Sequence, residues 1–201
     1  MRYFTNIKNI YPKFDKFGDF LLLTKKVERN YDNENFDQEF ELSFSGLVEN
    51  TTYENNKEYC YLLNNDGKFI LSNSNSMLKF YKPYLDEING ETLFFGLGLG
   101  LLILPLLNDP SVTKIDIVEI DANVIDYVYN KKIKPLDINN KINIINQNAF
   151  NFTTTNTYDY ILIDIWSEKN QTAINDMNFL KDKFITNLNE NGAIRLPLLN
   201  L

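Results

Sequence analysis

The sequence predicts an α/β protein: a doubly wound parallel sheet over residues 76–201, preceded by a small antiparallel β region over residues 1–75. Three observations carry that expectation. From residue 76 onward, short apolar runs alternate with stretches of helical periodicity. Before that point apolar positions recur at every second residue. Between the first apolar run and the helix expected after it stands a glycine cluster, Gly96-Leu97-Gly98-Leu99-Gly100. Parallel neighbours need long crossovers, usually helical and right-handed, so the alternation reads as a parallel, doubly wound sheet.

From about residue 18 to 71 the chain reads as antiparallel strands. Phe40, Leu42 and Phe44 alternate with Glu39, Glu41, Ser43 and Ser45, which leaves one face wet. Glu58 to Leu63 and Lys68 to Leu71 flank Asn64-Asn65-Asp66-Gly67, whose residues tolerate positive φ, so a hairpin is expected. Asn30 to Asn35 and Glu49 to Asn56 read as polar loops.

In the second region Met77, Tyr81, Tyr84, Leu85 and Ile88 recur at helical spacing, with a kink or a late start expected at Pro83. Thr92 to Phe95 is the first strand. A helix is expected over Leu101 to Leu107, strained at Pro105 and ending near Asn108-Asp109-Pro110. Lys114 to Glu119 is the second strand, followed by a helix with Val124, Ile125 and Val128 inward that Pro135 ends. Lys141 to Ile145 and Tyr158 to Asp164 are the third and fourth strands. Ala173, Met177, Leu180, Phe184 and Leu188 mark a long amphipathic helix, which Asn191-Gly192 turns into a fifth strand, Ala193 to Leu196.

Bulk properties exclude several function classes. Hydrophobic residues make up 44% and charged residues 23%, as in soluble globular proteins. A net charge of −7 argues against nucleic acid, whose binders carry basic patches. The cluster Lys131, Lys132 and Lys134 reads as the cationic end of a helix. A small-molecule substrate or a protein is therefore expected. No apolar run approaches the ~18 residues of a membrane span, and Met1-Arg2-Tyr3-Phe4-Thr5 does not open a signal peptide. A cytoplasmic protein without membrane contact is expected. Histidine is absent and Cys60 is the single cysteine, so neither a Cys/His metal site nor a Ser-His or Cys-His pair is expected. Cys60 reads as a small buried hydrophobe.

The glycines follow a strand and open the next element, the context in which such a pattern is informative. The first permits a tight turn; the second lets a ligand approach the backbone. A helix N-terminus beyond them would offer N–H groups to an anionic or carboxylate end. The spacing is not G-x-G-x-x-G, so a pyrophosphate is disfavoured. Taken alone, the pattern serves close strand–helix packing equally well. Glu119 adds to it: at the C-terminal end of the second strand, a carboxylate can accept both hydroxyls of a ribose. Asp121 either joins it or caps the helix that begins near Ala122.

Residues from about 76 to 197 resemble the class I S-adenosylmethionine-dependent methyltransferase fold, a Rossmann-like sheet whose five parallel strands would then stand in order 3-2-1-4-5, and within it the spermidine-synthase-like branch. Leu93-Phe94-Phe95-Gly96-Leu97-Gly98-Leu99-Gly100 resembles the glycine motif of that branch. Ile117-Val118-Glu119-Ile120-Asp121-Ala122-Asn123-Val124-Ile125 is similar to its VEID-x-x-VI segment, the most specific match. Tyr158-Asp159-Tyr160-Ile161-Leu162-Ile163-Asp164 resembles the strand before the catalytic loop, and Asn148-Ala149-Phe150 stands where the family has Asp and a small residue. The ending Asp164-Ile165-Trp166 is similar to uncharacterised bacterial and phage methyltransferase-like proteins. The N-terminal hairpins resemble the small β-domain of the branch.

The resemblance implies roles. Gly96, Gly98 and Gly100 would pack on the methionine part of S-adenosylmethionine or its decarboxylated form. Glu119 would hold the ribose, Ile120 the adenine face, and Asn148, beside Ala149, the adenine amine. Asp164 would be the catalytic residue beside the sulfonium, with Trp166 and Glu168 near the substrate; Trp166 serves equally as a cap on the core. Spermidine synthases carry D-x-x-D-P here, whereas this chain has Ser167 at the second acid. Methyl transfer to a small molecule or protein is therefore expected first and aminopropyl transfer second. A non-catalytic or cofactor-consuming protein is the third expectation. The fifth strand is the last expected, so a sheet without the family's final hairpin is expected, whose open edge would need the N-terminal β region or a second subunit, as in a homodimer.

Overall fold

The computed structural model describes residues 10–26, 58–67, 69–73, 75–167 and 169–200. They fall into two compact units that divide between Lys82 and Pro83.

The first unit carries a four-stranded antiparallel sheet in order β1-β2-β3-β4. Its strands are β1 (Phe14–Phe17), β2 (Phe20–Lys26), β3 (Glu58–Asn64) and β4 (Phe69–Ser72). β1 lies ahead of the start that the alternating pattern suggested. A two-residue turn joins it to β2, with Phe17 opposite Phe20 and Gly18 at φ 52°, the left-handed value such hairpins require. The expected second hairpin is present; Gly67, at φ 76°, donates its N–H to Asn64 O at 2.9 Å. Leu22, Cys60 and Leu62 fill the buried face. Burial pushes the Cys60 thiol up to about 11, so it is the inert hydrophobe expected. The strand expected around Phe40 to Ser45 and the loops at 30–35 and 49–56 lie outside the described residues.

Helix α1 (Asn75–Glu87) contains Pro83 in its interior. It neither starts late nor stops there; the chain gives up one backbone hydrogen bond and continues. Among the described residues no helix is long and apolar enough to cross a membrane.

The second unit is built on β5 (Gly90–Phe95), β6 (Val112–Glu119), β7 (Ile142–Asn146), β8 (Tyr158–Ile163) and β9 (Leu188–Arg195). They form a sheet in order β7-β6-β5-β8-β9 with every pair parallel, which is the expected 3-2-1-4-5. Helix α3 (Gln171–Phe184) buries Ala173, Met177, Leu180 and Phe184, the stripe legible in its sequence. Phe184 packs on Phe95 of β5 with ring centroids 4.7 Å apart, and Phe152 joins them. At the other end of the sheet's order, Arg195 of β9 meets Glu87 of α1 at 2.8 Å.

Three elements depart from the sequence reading. No regular helix follows the glycines: residues 101–103 are turns, and a 3-10 turn covers Leu104–Leu106. Leu101, Leu102, Ile103, Leu104, Leu106 and Leu107 are all buried, so there is no wet face to favour an amphipathic helix, and Pro105 withholds a donor. Second, the helix after β6 starts as a short α turn, α2 (Ala122–Val124), and widens into a π-helix over Ile125–Ile133. The Lys134 N–H bonds Tyr129 O, five residues back, and Asp126 pairs with Lys131 at 2.7 Å, also five apart. Third, β9 starts at Leu188, so Asn191-Gly192 lies inside the strand rather than before it. There the ladder slips: Tyr158 faces Leu188, whereas Tyr160 faces Ala193. A Cβ at Gly192 would stand 2.8 Å from Tyr158 O, which is the close approach the glycine serves.

The crossover from β7 to β8, residues 147–157, contains no helix. The end of α3 and the turn after it hold it by its carbonyls instead. Lys183 Nζ donates to Phe150 O at 2.6 Å, and Asn187 Nδ2 to Thr154 O and Asn156 O at 3.0 and 2.9 Å.

Candidate functional site at the C-terminal rim of the sheet

The C-terminal ends of β5, β6, β7 and β8 converge, and nearly all the residues singled out in the sequence lie on this rim. In an open α/β sheet the switch point, where neighbouring strands send their chains to opposite faces, opens a crevice there. Gly96 continues β5 by one residue, its N–H bonded to Val118 O at 2.9 Å. It has φ 94°, and a Cβ on it would stand 2.7 Å from Asp164 O at the end of β8. The glycine is therefore needed to let two strand ends close on each other, whatever else it serves. Gly98 and Gly100 also have positive φ, and a Cβ at Gly100 would strike the Ile133 side chain of the π-helix. The loop is thus a tight turn packed on both sides.

Glu119 ends β6 and is 8% exposed. Its Oε2 accepts the Leu97 N–H of the glycine turn at 2.9 Å, and its Oε1 accepts the Asp121 N–H at 2.9 Å. The acid therefore ties the β5 turn to the β6 turn. A carboxylate has about four acceptor sites, and two backbone donors use half of them. Ile120 is 64% exposed beside it, an apolar side chain left standing in solvent at the rim. Asp121 resolves the other way: its Oδ1 accepts the N–H groups of Asn123 and Val124 at 2.7 and 3.3 Å, so it is the cap of the following helix.

Beyond β7, Asn148 is half-buried and Ala149 buried. Asn148 Oδ1 accepts the Phe150 N–H at 2.9 Å, while its carbonyl accepts from Asn151 and Phe152. The acceptor expected to face a base is thus already engaged in a local turn, which directs the amide nitrogen away from the Phe150 N–H. Past β8, the Asp164 N–H extends the ladder to Phe95 O at 3.1 Å. Asp164 and Trp166 are half-buried, and Ile165 and Ser167 are exposed. Glu168 lies outside the described residues.

The sequence reading missed Asn146, which ends β7 directly opposite Glu119. Its Nδ2 donates to Glu119 O at 2.9 Å and to Ile120 O at 3.0 Å, and the Gln147 N–H reaches Glu119 O at 3.1 Å. An isolated Asn in so Asn-rich a chain carries no motif that would single it out.

No curated protein matches the chain by sequence. Among solved structures, it is similar to DhpI in complex with SAH at 13% identity, over 60% of this chain and 55% of that one, with a TM-score of 0.47. It is similar to the N-methyltransferase NodS from Bradyrhizobium japonicum WM9 in complex with S-adenosyl-L-homocysteine at 12% identity, over 60% of each chain, TM-score 0.47. The glycopeptide N-methyltransferase MtfA complexed with sinefungin aligns at 17% identity over 59% of this chain and 47% of that one, TM-score 0.45. The chain spans about half the length of the solved structures it matches. The sequence profile described as spermine/spermidine synthase domain matches residues 83–196, more than half of the chain and the whole of the parallel sheet. The chain belongs to the spermine/spermidine synthase domain family.

Proposed function

We propose that this protein binds S-adenosylmethionine at the C-terminal rim and transfers its methyl group to a small-molecule or protein acceptor. The observation that carries the reading is Glu119: two backbone donors hold its carboxylate rigidly and leave acceptor sites for vicinal ribose hydroxyls. The neighbouring residues suit the rest of a nucleoside. Exposed Ile120 offers an apolar face to a base, and the tight glycine turn at the end of β5 lies beside it for the amino-acid part.

When bound, the cofactor supplies a sulfonium-activated methyl carbon. The protein's share is to bring an acceptor into line with that carbon and to exclude competing geometries, from which much of the rate can come. Asp164, at the end of β8, orients the acceptor N–H or O–H and accepts its proton. Trp166, two residues on, flanks the acceptor. The acidic net charge of −7 fits a small or protein acceptor better than nucleic acid.

Family membership favours a second reading, aminopropyl transfer from the decarboxylated cofactor to an amine. Ser167 weighs against it, since a diamine needs carboxylates on both sides of the site and this position offers a hydroxyl. Calorimetric titration with S-adenosylmethionine, its decarboxylated form and methylthioadenosine separates the readings. Methyl transfer requires the intact cofactor to bind at least as tightly as the decarboxylated one; the opposite order moves the protein to aminopropyl transfer. Binding of none of the three removes both. Asp164→Asn then tests the base: turnover should fall by ~10²–10⁴ with affinity for the cofactor within a few fold. Near-normal turnover would leave a transferase that works by positioning alone.

A further inference from the structure

We propose that Asn146 is a positioning residue for the nucleoside site, acting through the peptide that joins Ile120 to Asp121. The inference rests on the cofactor reading above and assigns a part that no motif contains. The β6–β7 ladder ends at the pair Glu119 and Asn146. Beyond it the chains separate, β6 toward α2 and β7 toward the helix-free crossover. Asn146 prolongs the ladder by its side chain. The two hydrogens of its amide go to two consecutive carbonyls, Glu119 O at 2.9 Å and Ile120 O at 3.0 Å.

The second of these bonds matters most. The Ile120 carbonyl and the Asp121 N–H belong to one rigid peptide plane, and that N–H donates to Glu119 Oε1 at 2.9 Å. One plane is therefore held at its oxygen by Asn146 and uses its hydrogen to aim the Glu119 carboxylate. Polarising the carbonyl also strengthens the N–H as a donor. The same grip fixes both peptide planes that flank Ile120, whose exposed side chain depends on them for its direction. Without the amide, the acid keeps the Leu97 bond at Oε2 but loses the fixed partner that sets its second oxygen.

Two variants and two measurements test this. Asn146→Ala removes the amide; Asn146→Asp keeps its size but replaces both donors with acceptors. Affinity is read by titration with S-adenosylhomocysteine and methylthioadenosine, and the peptide plane by hydrogen exchange of the Asp121 amide in the ligand-free protein. Both variants should weaken both ligands by about tenfold, a loss on the scale of one or two hydrogen bonds, and to the same extent, because the amino-acid part is not involved. Exchange at Asp121 should accelerate about tenfold or more while the melting temperature falls by no more than about 5 °C. Unchanged affinity in both variants overturns the proposal, and so does unchanged exchange at Asp121. If the wild-type protein binds neither ligand, the cofactor reading fails by itself. The exchange measurement still decides whether Asn146 holds the plane.

Discussion

Asp116 and Glu119 lie on the same strand, three residues apart, and their carboxylates are held in opposite ways. Asp116 is 1% exposed in the middle of β6. It accepts Lys114 Nζ at 2.9 Å and the Tyr158 hydroxyl at 2.9 Å on one oxygen, and Asn143 Nδ2 at 3.0 Å on the other. These are side-chain donors from three strands, and together they nearly saturate it. The Asp116 contact raises the Lys114 ammonium pKa, and burial raises that of the Tyr158 hydroxyl. Glu119, by contrast, accepts two backbone N–H groups and faces the rim. The contrast separates a structural acid from a functional candidate by the number and origin of its donors rather than by burial, since both are buried.

The largest effect expected from that contrast is on stability, at Asp116. Asp116→Ala removes the carboxylate that accepts the Tyr158 hydroxyl, leaving it only Thr154 and Asn156 as side-chain neighbours, and opens a small cavity. The loss should be about 3 kcal/mol, on the scale of the two charge-assisted bonds from Tyr158 and Asn143. Lys114, 38% exposed, can turn to water, which keeps the cost below that of a fully buried pair. The melting temperature should drop by roughly 6–12 °C, with cofactor affinity of the folded protein unchanged within about twofold. A variant that melts normally but loses affinity would break the comparison, because the mid-strand acid would then be serving the rim.

Glu119→Ala should show the converse balance, though not a pure one. Read as a ribose clamp alone, Glu119 would be dispensable for the ligand-free fold. Its two N–H bonds change that expectation: Leu97 and Asp121 lose their acceptors, and the ligand-free protein should lose about 2 kcal/mol. Affinity for S-adenosylhomocysteine should fall at least tenfold, from the loss of one or two charge-assisted bonds. Thermal melting and titration on the same sample check both. A stability loss with intact affinity would make Glu119 a second Asp116.

Much of this arrangement was legible in the sequence, and the failures have physical reasons. The parallel, doubly wound class followed from the alternation of apolar runs and helical stripes, the strand order from the family resemblance, and Ala173, Met177, Leu180 and Phe184 faced inward as their spacing requires. The segment after Gly100 was misread because Leu101 to Leu107 is apolar on every side, and periodicity cannot choose a helix without a wet face. β9 was placed late because Asn191-Gly192 signals a turn, and a slipped ladder uses the same residues inside a strand. At the rim, spacing pointed to Glu119 but left Asp121 as either a second ligand or a helix cap; the cap geometry decides for Asp121. Asn146 was out of reach, since its meaning comes from the register that places it opposite Glu119.

Asn148 sharpens the comparison further, with the smallest expected effect. An Asp at this place would give one oxygen to the Phe150 N–H and keep the other for the amine of an adenine. Asn148 spends its single oxygen on that N–H, at 2.9 Å, because a backbone donor needs an acceptor and the amide orientation follows from it. The side chain therefore presents a donor, Nδ2, where the resemblance leads one to expect an acceptor. Asn148→Asp should restore the acceptor without disturbing the turn, and affinity for S-adenosylhomocysteine should rise about threefold to tenfold, on the scale of one hydrogen bond gained. The deaminated analogue S-inosylhomocysteine, whose base carries a carbonyl at the same edge, should move the other way. Two titrations on each protein decide it. If the substitution lowers affinity for the adenosyl ligand, the amide nitrogen is itself the contact, donating to a ring nitrogen of the base. The rim would then read adenine through a different edge than the carboxylate would.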